Sequence, residues 1–153
     1  MASPPTPVRI AVFGGSHCPE HIYEKAQAVG RLLAQKGVLV YCGGRTGVME
    51  AVSRGVREEN GTVVGILPEA DSDGANPFVD IPVATGAGSA RNVMIVNSVH
   101  GAIAIDGYYG TLSEIGHALR AGKPVVGLET WDIKGVHVVS TPEESVQTIL
   151  ELI

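Results

Sequence analysis

The chain has 153 residues, the length of one ordinary domain, and its 11 Lys and Arg against 16 Asp and Glu give a net charge of −5. With no basic block, non-specific nucleic-acid binding is disfavoured, because little would replace the counterions around the phosphates. Glycine is high at 20 residues while aromatics are only 5 %, so many turns need bare backbone and few rings are available to stack the bases of single-stranded DNA.

Residues 1–7 carry neither the basic nor the apolar region of a targeting peptide, and they are expected to form a disordered tail before a domain over 8–153. No apolar run reaches the ~18 residues of a membrane span. Cys18 and Cys42 fit a reduced, cytoplasmic chain better than a disulfide scaffold, and with so few ligands beside them no structural metal is expected.

Val8–Phe13 is predicted as the first strand, apolar on both faces as buried parallel strands are. It runs into Gly14-Gly-Ser-His-Cys-Pro19, which lacks the G-x-G-x-x-G of dinucleotide sites. No acidic residue closes a second strand to hold a ribose, so NAD is not expected. The loop reads either as a tight turn or as a phosphate cradle built from Gly14, Gly15 and Ser16, with His17 a candidate contact. Ile22, Ala26, Val29 and Leu33 then step at helical spacing until Lys36-Gly37 ends the helix.

Val38–Tyr41 is the second strand. The loop after it, Cys42-Gly-Gly-Arg-Thr-Gly-Val-Met-Glu50, has no Lys after its last glycine and is not a P-loop. Gly43, Gly44, Arg45, Thr46 and Gly47 at a helix start nevertheless suit close approach by an anion. Val48 or Met49, Val52 and Val56 mark the next helix, Thr62–Leu67 a third strand and Ile81–Thr85 a weaker one. Ser89 is the expected N-cap of a helix through Val93–Val96, an apolar stretch that fits burial in this domain or against a partner. Arg91 then lies in the first turn, where the helix dipole disfavours a cation by ~0.3–1 kcal/mol. A charge-assisted hydrogen bond to a bound phosphate returns ~1.5–3 kcal/mol, which favours a ligand role over a swing into solvent or a carboxylate pair.

Gly101–Ile105, the fifth strand, leads into Asp106-Gly-Tyr-Tyr-Gly-Thr-Leu-Ser-Glu114 and a helix with Leu112, Ile115 and Leu119 inward. Thr111-x-x-Glu114 has capping-box spacing. So does Thr141-x-x-Glu144 at the last helix, where Pro142 takes the first position and Val146, Ile149, Leu150 and Ile153 form the inward stripe. Pro124–Leu128 and Val136–Val139 complete the strands. This order predicts a single doubly wound, Rossmann-like α/β domain with a mostly parallel sheet of six to seven strands. Its ligands should bind beyond the carboxyl ends of those strands, where Gly14, Gly15, Gly43, Gly44, Gly47, Gly86, Gly88, Gly107 and Gly110 fall.

Val12-Phe-Gly-Gly-Ser16, then Cys42 to Met49 with Val63-Val-Gly-Ile-Leu-Pro68, then Ala90-Arg91, then Gly110-Thr-x-x-Glu114, in that order and spacing, resemble the LOG-like (LONELY GUY) family, long labelled as lysine decarboxylases. The resemblance runs from Val8 onward. It implies a Rossmann-like enzyme that hydrolyses the N-glycosidic bond of nucleoside 5′-monophosphates, releasing the base and ribose 5-phosphate. Arg91 and Glu114 would be catalytic and the Gly43-Gly44 and Gly110-Thr111 loops would hold phosphate. A fixed carboxylate suits that chemistry, since the bond breaks through an oxocarbenium-like sugar.

Two departures matter. Active enzymes of the family read P-G-G-x-G-T-x-x-E where this chain has Asp106 and Tyr108 in place of Pro and the second Gly, and their Arg-Lys pair is Arg91-Asn92 here. These features are more similar to the molybdenum cofactor carrier branch, whose members bind a pterin cofactor and protect it. One expectation is therefore a carrier that binds a phosphorylated ligand, molybdenum cofactor or nucleotide, without efficient turnover. Its contacts would come from the first loop, Gly43 to Gly47, Arg91 and Asn92, and Gly107, Tyr108, Gly110 and Thr111. The alternative is a nucleoside 5′-monophosphate phosphoribohydrolase using Arg91 and Glu114, with Asp106 as a second carboxylate. The family resemblance also implies a homodimer or homotetramer, while the net charge and the lack of a long apolar run argue against nucleic-acid and membrane partners.

Overall fold

Ile10, Ala11, Val12 and Phe13 are apolar in succession and all buried, so the strand that carries them must be covered on both faces. In the computed structural model, which describes residues 6–153, that strand is β1 (Arg9–Gly14), the centre of a seven-stranded sheet. The others are β2 (Leu39–Cys42), β3 (Val63–Leu67), β4 (Ile81–Ala84), β5 (Gly101–Ile105), β6 (Val125–Leu128) and β7 (Val136–Val139). Their order is β4-β3-β2-β1-β5-β6-β7 and every pairing is parallel. The chain builds outward from β1 to one edge, then returns to β5 on its other side. The crevice between β1 and β5 is thus the switch point where such sheets take ligands.

Ile10 and Val12 point to a cluster shared with α1 (Glu20–Gln35), α2 (Val48–Glu58) and α5 (Pro142–Leu152), while Ala11 and Phe13 point to one shared with α3 (Arg91–Ser98) and α4 (Tyr109–Arg120). Two glycines serve this packing and not the rim: a Cβ on Gly30 of α1 would strike the carbonyl oxygen of Val52, and one on Gly55 of α2 that of Gln27. The helices α1 and α2 therefore touch backbone to backbone.

Several local expectations are corrected. Ser89 caps nothing: Gly88–Ala90 form a 3-10 turn, and α3 starts at Arg91 without a side-chain cap. The loop before it is instead tied to the end of β3, through Gly88 N–H to the Pro68 carbonyl (3.0 Å) and Thr85 Oγ1 to the Leu67 carbonyl (2.6 Å). Thr111 and Glu114 are not a capping box, because α4 begins two residues before Thr111 and both side chains face inward with Ile115 and Ala118. Leu112 and Leu119 are only half-buried.

At α5, Thr141 Oγ1 accepts from Glu144 N–H (3.1 Å) as expected, while the Glu144 carboxylate reaches back to Ser140 N–H (3.3 Å). Val146 and Ile149 are buried there, but Ile153 lies past the helix end and is 44 % exposed. The expected 1–7 tail falls outside the described residues except for Thr6 and Pro7, which are exposed and carry no regular structure.

Candidate functional site

A cavity of about 340 Å³ opens beyond the carboxyl end of β1, at the lower end of the range of small-molecule sites, roughly 300–1,000 Å³. It collects Gly14, Gly15 and Ser16 after β1, Gly43 and Arg45 after β2, Arg91 and Asn92 of α3, and Tyr108, Gly110, Thr111 and Glu114 around the start of α4. Val12, Met49 and Pro68, which sequence reasoning did not single out, add its apolar lining. All three sit at the ends of the segments that carry the family resemblance, though none was named as a site residue.

The start of α4 presents backbone donors to the cavity. Leu112 N–H is the first in α4 to find a turn acceptor, the Tyr108 carbonyl (2.9 Å), which leaves the N–H groups of Tyr109, Gly110 and Thr111 without acceptors among the described residues. Gly107 supports this turn from behind: its φ of +91° suits glycine, and a Cβ there would collide with the Thr111 hydroxyl. It does not itself line the cavity. Asp106 also lies outside the lining, and its peptide is held between Leu128 and Thr130, whose Oγ1 donates to the Asp106 carbonyl (2.6 Å). The second carboxylate expected there is absent from the cavity wall.

Thr46, Gly44 and Gly47 are not in the wall either. Thr46 Oγ1 donates to the Ser16 carbonyl (2.8 Å) and Val48 N–H to the Gly15 carbonyl (3.0 Å). At Gly47 a Cβ would strike that same Gly15 carbonyl. This loop therefore fastens the first loop in place, and the first N–H of α2 is used in doing so. His17, expected as a ligand contact, is exposed outside the cavity, with Nδ1 3.2 Å from Ser16 Oγ.

Arg45 reaches the cavity but is ion-paired through Nη1 to Glu69, whose second carboxylate oxygen is buried without a partner among the described residues. Asn76 clips the same loop from outside, its N–H donating to the Gly44 carbonyl (2.9 Å) and its Nδ2 to the Arg45 carbonyl (2.8 Å). Neither Glu69 nor Asn76 was flagged, because the stretch between β3 and β4 has no periodicity to read.

Arg91 neither swings into solvent nor pairs with a carboxylate. Nη1 donates to the carbonyls of Gly43 (2.6 Å) and Ile66 (2.8 Å) and Nε to Asn92 Oδ1 (3.0 Å). It thereby clamps the ends of β2 and β3, and Nη2 has no partner among the described residues. Burial lowers its pKa, against the opposing pull of Glu114. Glu114 is 8 % exposed, and no donor among the described residues hydrogen-bonds its carboxyl. Burial pushes its carboxyl up to about 8, with the Arg91 charge pulling the other way.

The cysteines are quiet. Cys42 is buried, its Sγ accepting from Gly44 N–H (3.4 Å), and burial raises its thiol pKa. Half-buried Cys18 is raised too, by burial and then by Asp106, Glu20 and Glu50, so neither is an activated nucleophile. Among the described residues no three His, Cys, Asp or Glu side chains gather as a metal site, and no helix is long and apolar enough to cross a membrane.

The family model for the SLOG cluster4 family matches residues 7–151. The chain is 46 % identical over 140 residues to an uncharacterized protein of Archaeoglobus fulgidus, covering 91 % of this chain and 92 % of that one. It is 29 % identical over 143 residues to a cytokinin riboside 5′-monophosphate phosphoribohydrolase of Rhodococcoides fascians, covering 87 % of this chain but 65 % of the relative. The solved structure of the molybdenum cofactor binding protein from the phototrophic bacterium Rippkaea orientalis superposes with a TM-score of 0.89 at 32 % identity, over 97 % of this chain and 98 % of that one.

Proposed function

The chain belongs to the LOG-like SLOG cluster4 family, and from that premise we propose that it is a cytoplasmic carrier which binds a phosphorylated ligand, molybdenum cofactor or a nucleotide, without efficient turnover. The observation that carries this reading is the set of anion donors in the cavity, the N–H groups of Tyr109, Gly110 and Thr111 left without acceptors among the described residues, with Arg91 beside them; the raised carboxyl of Glu114 accords with it. Cleavage of an N-glycosidic bond develops positive charge on the sugar, and a carboxylate stabilises that charge only when ionised. With burial raising its carboxyl to about 8, Glu114 favours its neutral form at pH 7. A bound phosphate brings further negative charge and favours the proton still more. Glu114 is also the one acidic side chain in the cavity wall. It therefore offers the ligand a hydrogen-bond donor, while the free N–H groups of α4 and Arg91 Nη2 supply the positive potential that holds a phosphate.

The close superposition on a molybdenum cofactor binding protein over nearly the whole chain supports the same reading. A homodimer or homotetramer belongs to it, since Ile81 and Val83 of the edge strand β4 and Met94 of α3 remain exposed as apolar surface.

The second reading is a phosphoribohydrolase, favoured by Arg91 and Glu114 lining one cavity and by the likeness to the Rhodococcoides fascians enzyme. There a neutral Glu114 would hand its proton to the departing base. The two are separated by incubating the protein with nucleoside 5′-monophosphates and following free base by chromatography, beside Glu114→Gln. The carrier reading expects no release and a ligand-dependent rise in Tm. Release that disappears in the variant contradicts it.

A further inference from the structure

Tyr108 is 70 % exposed, yet it lines the cavity beside Gly110, Thr111 and Glu114. Its backbone is fixed from the loop between β6 and β7: Trp131 Nε1 donates to the Tyr108 carbonyl (3.0 Å), and the Trp131 ring lies 6.2 Å from that of Tyr109. On the other side its ring approaches Gly15, where an added Cβ would sit 3.8 Å from Tyr108 Cδ2. A large ring is thus held in water at the mouth of a polar cavity, with no hydrogen bond to its hydroxyl among the described residues. Tyr109, 80 % exposed, turns instead to Trp131 and is outside the wall.

Taking the phosphate-binding reading as given, we infer that the Tyr108 ring is the stacking platform for a planar, fused heteroaromatic ring of the ligand, whose phosphate lies on the free N–H groups at the start of α4. The phosphate donors lie at the start of α4, and Tyr108 borders the same cavity where it meets solvent, so a ring attached to that phosphate and directed outward meets the Tyr108 face. Tyr108 immediately precedes the helix whose N–H groups receive the phosphate, so both ends of one ligand fall within a side chain's reach. The exposed ring loses water on stacking and meets a π-face of matching size. A purine and a pterin present the same chemistry here.

The test is calorimetric titration of the intact protein with ribose 5-phosphate, guanosine monophosphate and neopterin monophosphate, repeated with Tyr108→Ala and Tyr108→Phe. The expected result is that the ring-bearing ligands bind about tenfold or more tightly than ribose 5-phosphate. That preference is lost in Tyr108→Ala and kept in Tyr108→Phe, while ribose 5-phosphate binds all three proteins alike. The tighter of the two ring-bearing ligands identifies the source of the ring. A preference that survives in Tyr108→Ala, or its absence in the unmodified protein, overturns the platform while leaving the phosphate site standing. Failure of every ligand to bind, ribose 5-phosphate included, overturns both.

Discussion

Arg91 and Glu114 line the same cavity, but the guanidinium of Arg91 donates to the carbonyls of Gly43 and Ile66 while Glu114 accepts no hydrogen bond among the described residues. The cation is committed to holding the strand ends together, and the carboxyl beside it has no donor to favour its ionised form. In this arrangement the guanidinium is a clamp, and burial raises the carboxyl beside it toward its neutral form. The consequences are measurable on folding as well as on binding.

Stability should fall with rising pH because of Glu114. Its folded-state value is raised to about 8 from an ordinary 4.5, so the unfolded chain releases the proton first. The contribution is fully present below about pH 4.5, declines as pH rises toward 8, and is level above that. In Glu114→Gln this decline is absent, and the variant gains on the order of 3–5 kcal/mol relative to wild type between pH 4.5 and 8.5. Urea unfolding of both proteins at several pH values measures the difference; parallel profiles would refute it.

Arg91→Ala should cost about 2–3 kcal/mol of stability, since it leaves the Gly43 and Ile66 carbonyls without their charged donor. The same variant loses affinity for inorganic phosphate. If phosphate affinity falls with no change in the urea midpoint, Arg91 is a ligand residue only and the clamp is wrong.

Glu69→Gln removes the charge that engages Arg45. Both side chains are partly exposed, so the cost in stability should stay below about 1 kcal/mol. Phosphate affinity, read by calorimetry, should rise several-fold as Arg45 becomes free to meet the anion. Unchanged affinity would place Arg45 outside the binding surface.

Gly107→Ala combines a positive φ with a collision against the Thr111 hydroxyl. A loss of about 2 kcal/mol or more is expected, together with weaker phosphate binding, because the first turn of α4 must shift. Thermal unfolding with and without phosphate measures both.

Much of the architecture was legible in the sequence because buried parallel strands are apolar on both faces. Gly101–Ile105 and Val136–Val139 appear with the bounds expected, and Ile22, Ala26, Val29 and Leu33 all face the core. The rim was legible for the same reason, since loops after those strands have only one place to go. Periodicity gives a side chain's direction, not its partner. Arg91 meets carbonyls 48 and 25 positions away, Thr46 turns to the Ser16 backbone, and Glu69 and Asn76 act from a stretch with no repeat at all. Thr111 and Glu114 mimic a capping box until the helix is seen to start at Tyr109.

The central claim is that the cavity holds a phosphorylated ligand without cutting it, and it is tested most directly by a single-turnover experiment. Protein in excess is mixed with guanosine monophosphate, and intact nucleotide and ribose 5-phosphate are quantified over several hours at pH 7. Quantitative recovery of bound, intact nucleotide is the predicted result. Stoichiometric formation of ribose 5-phosphate, abolished by Glu114→Gln, would contradict it.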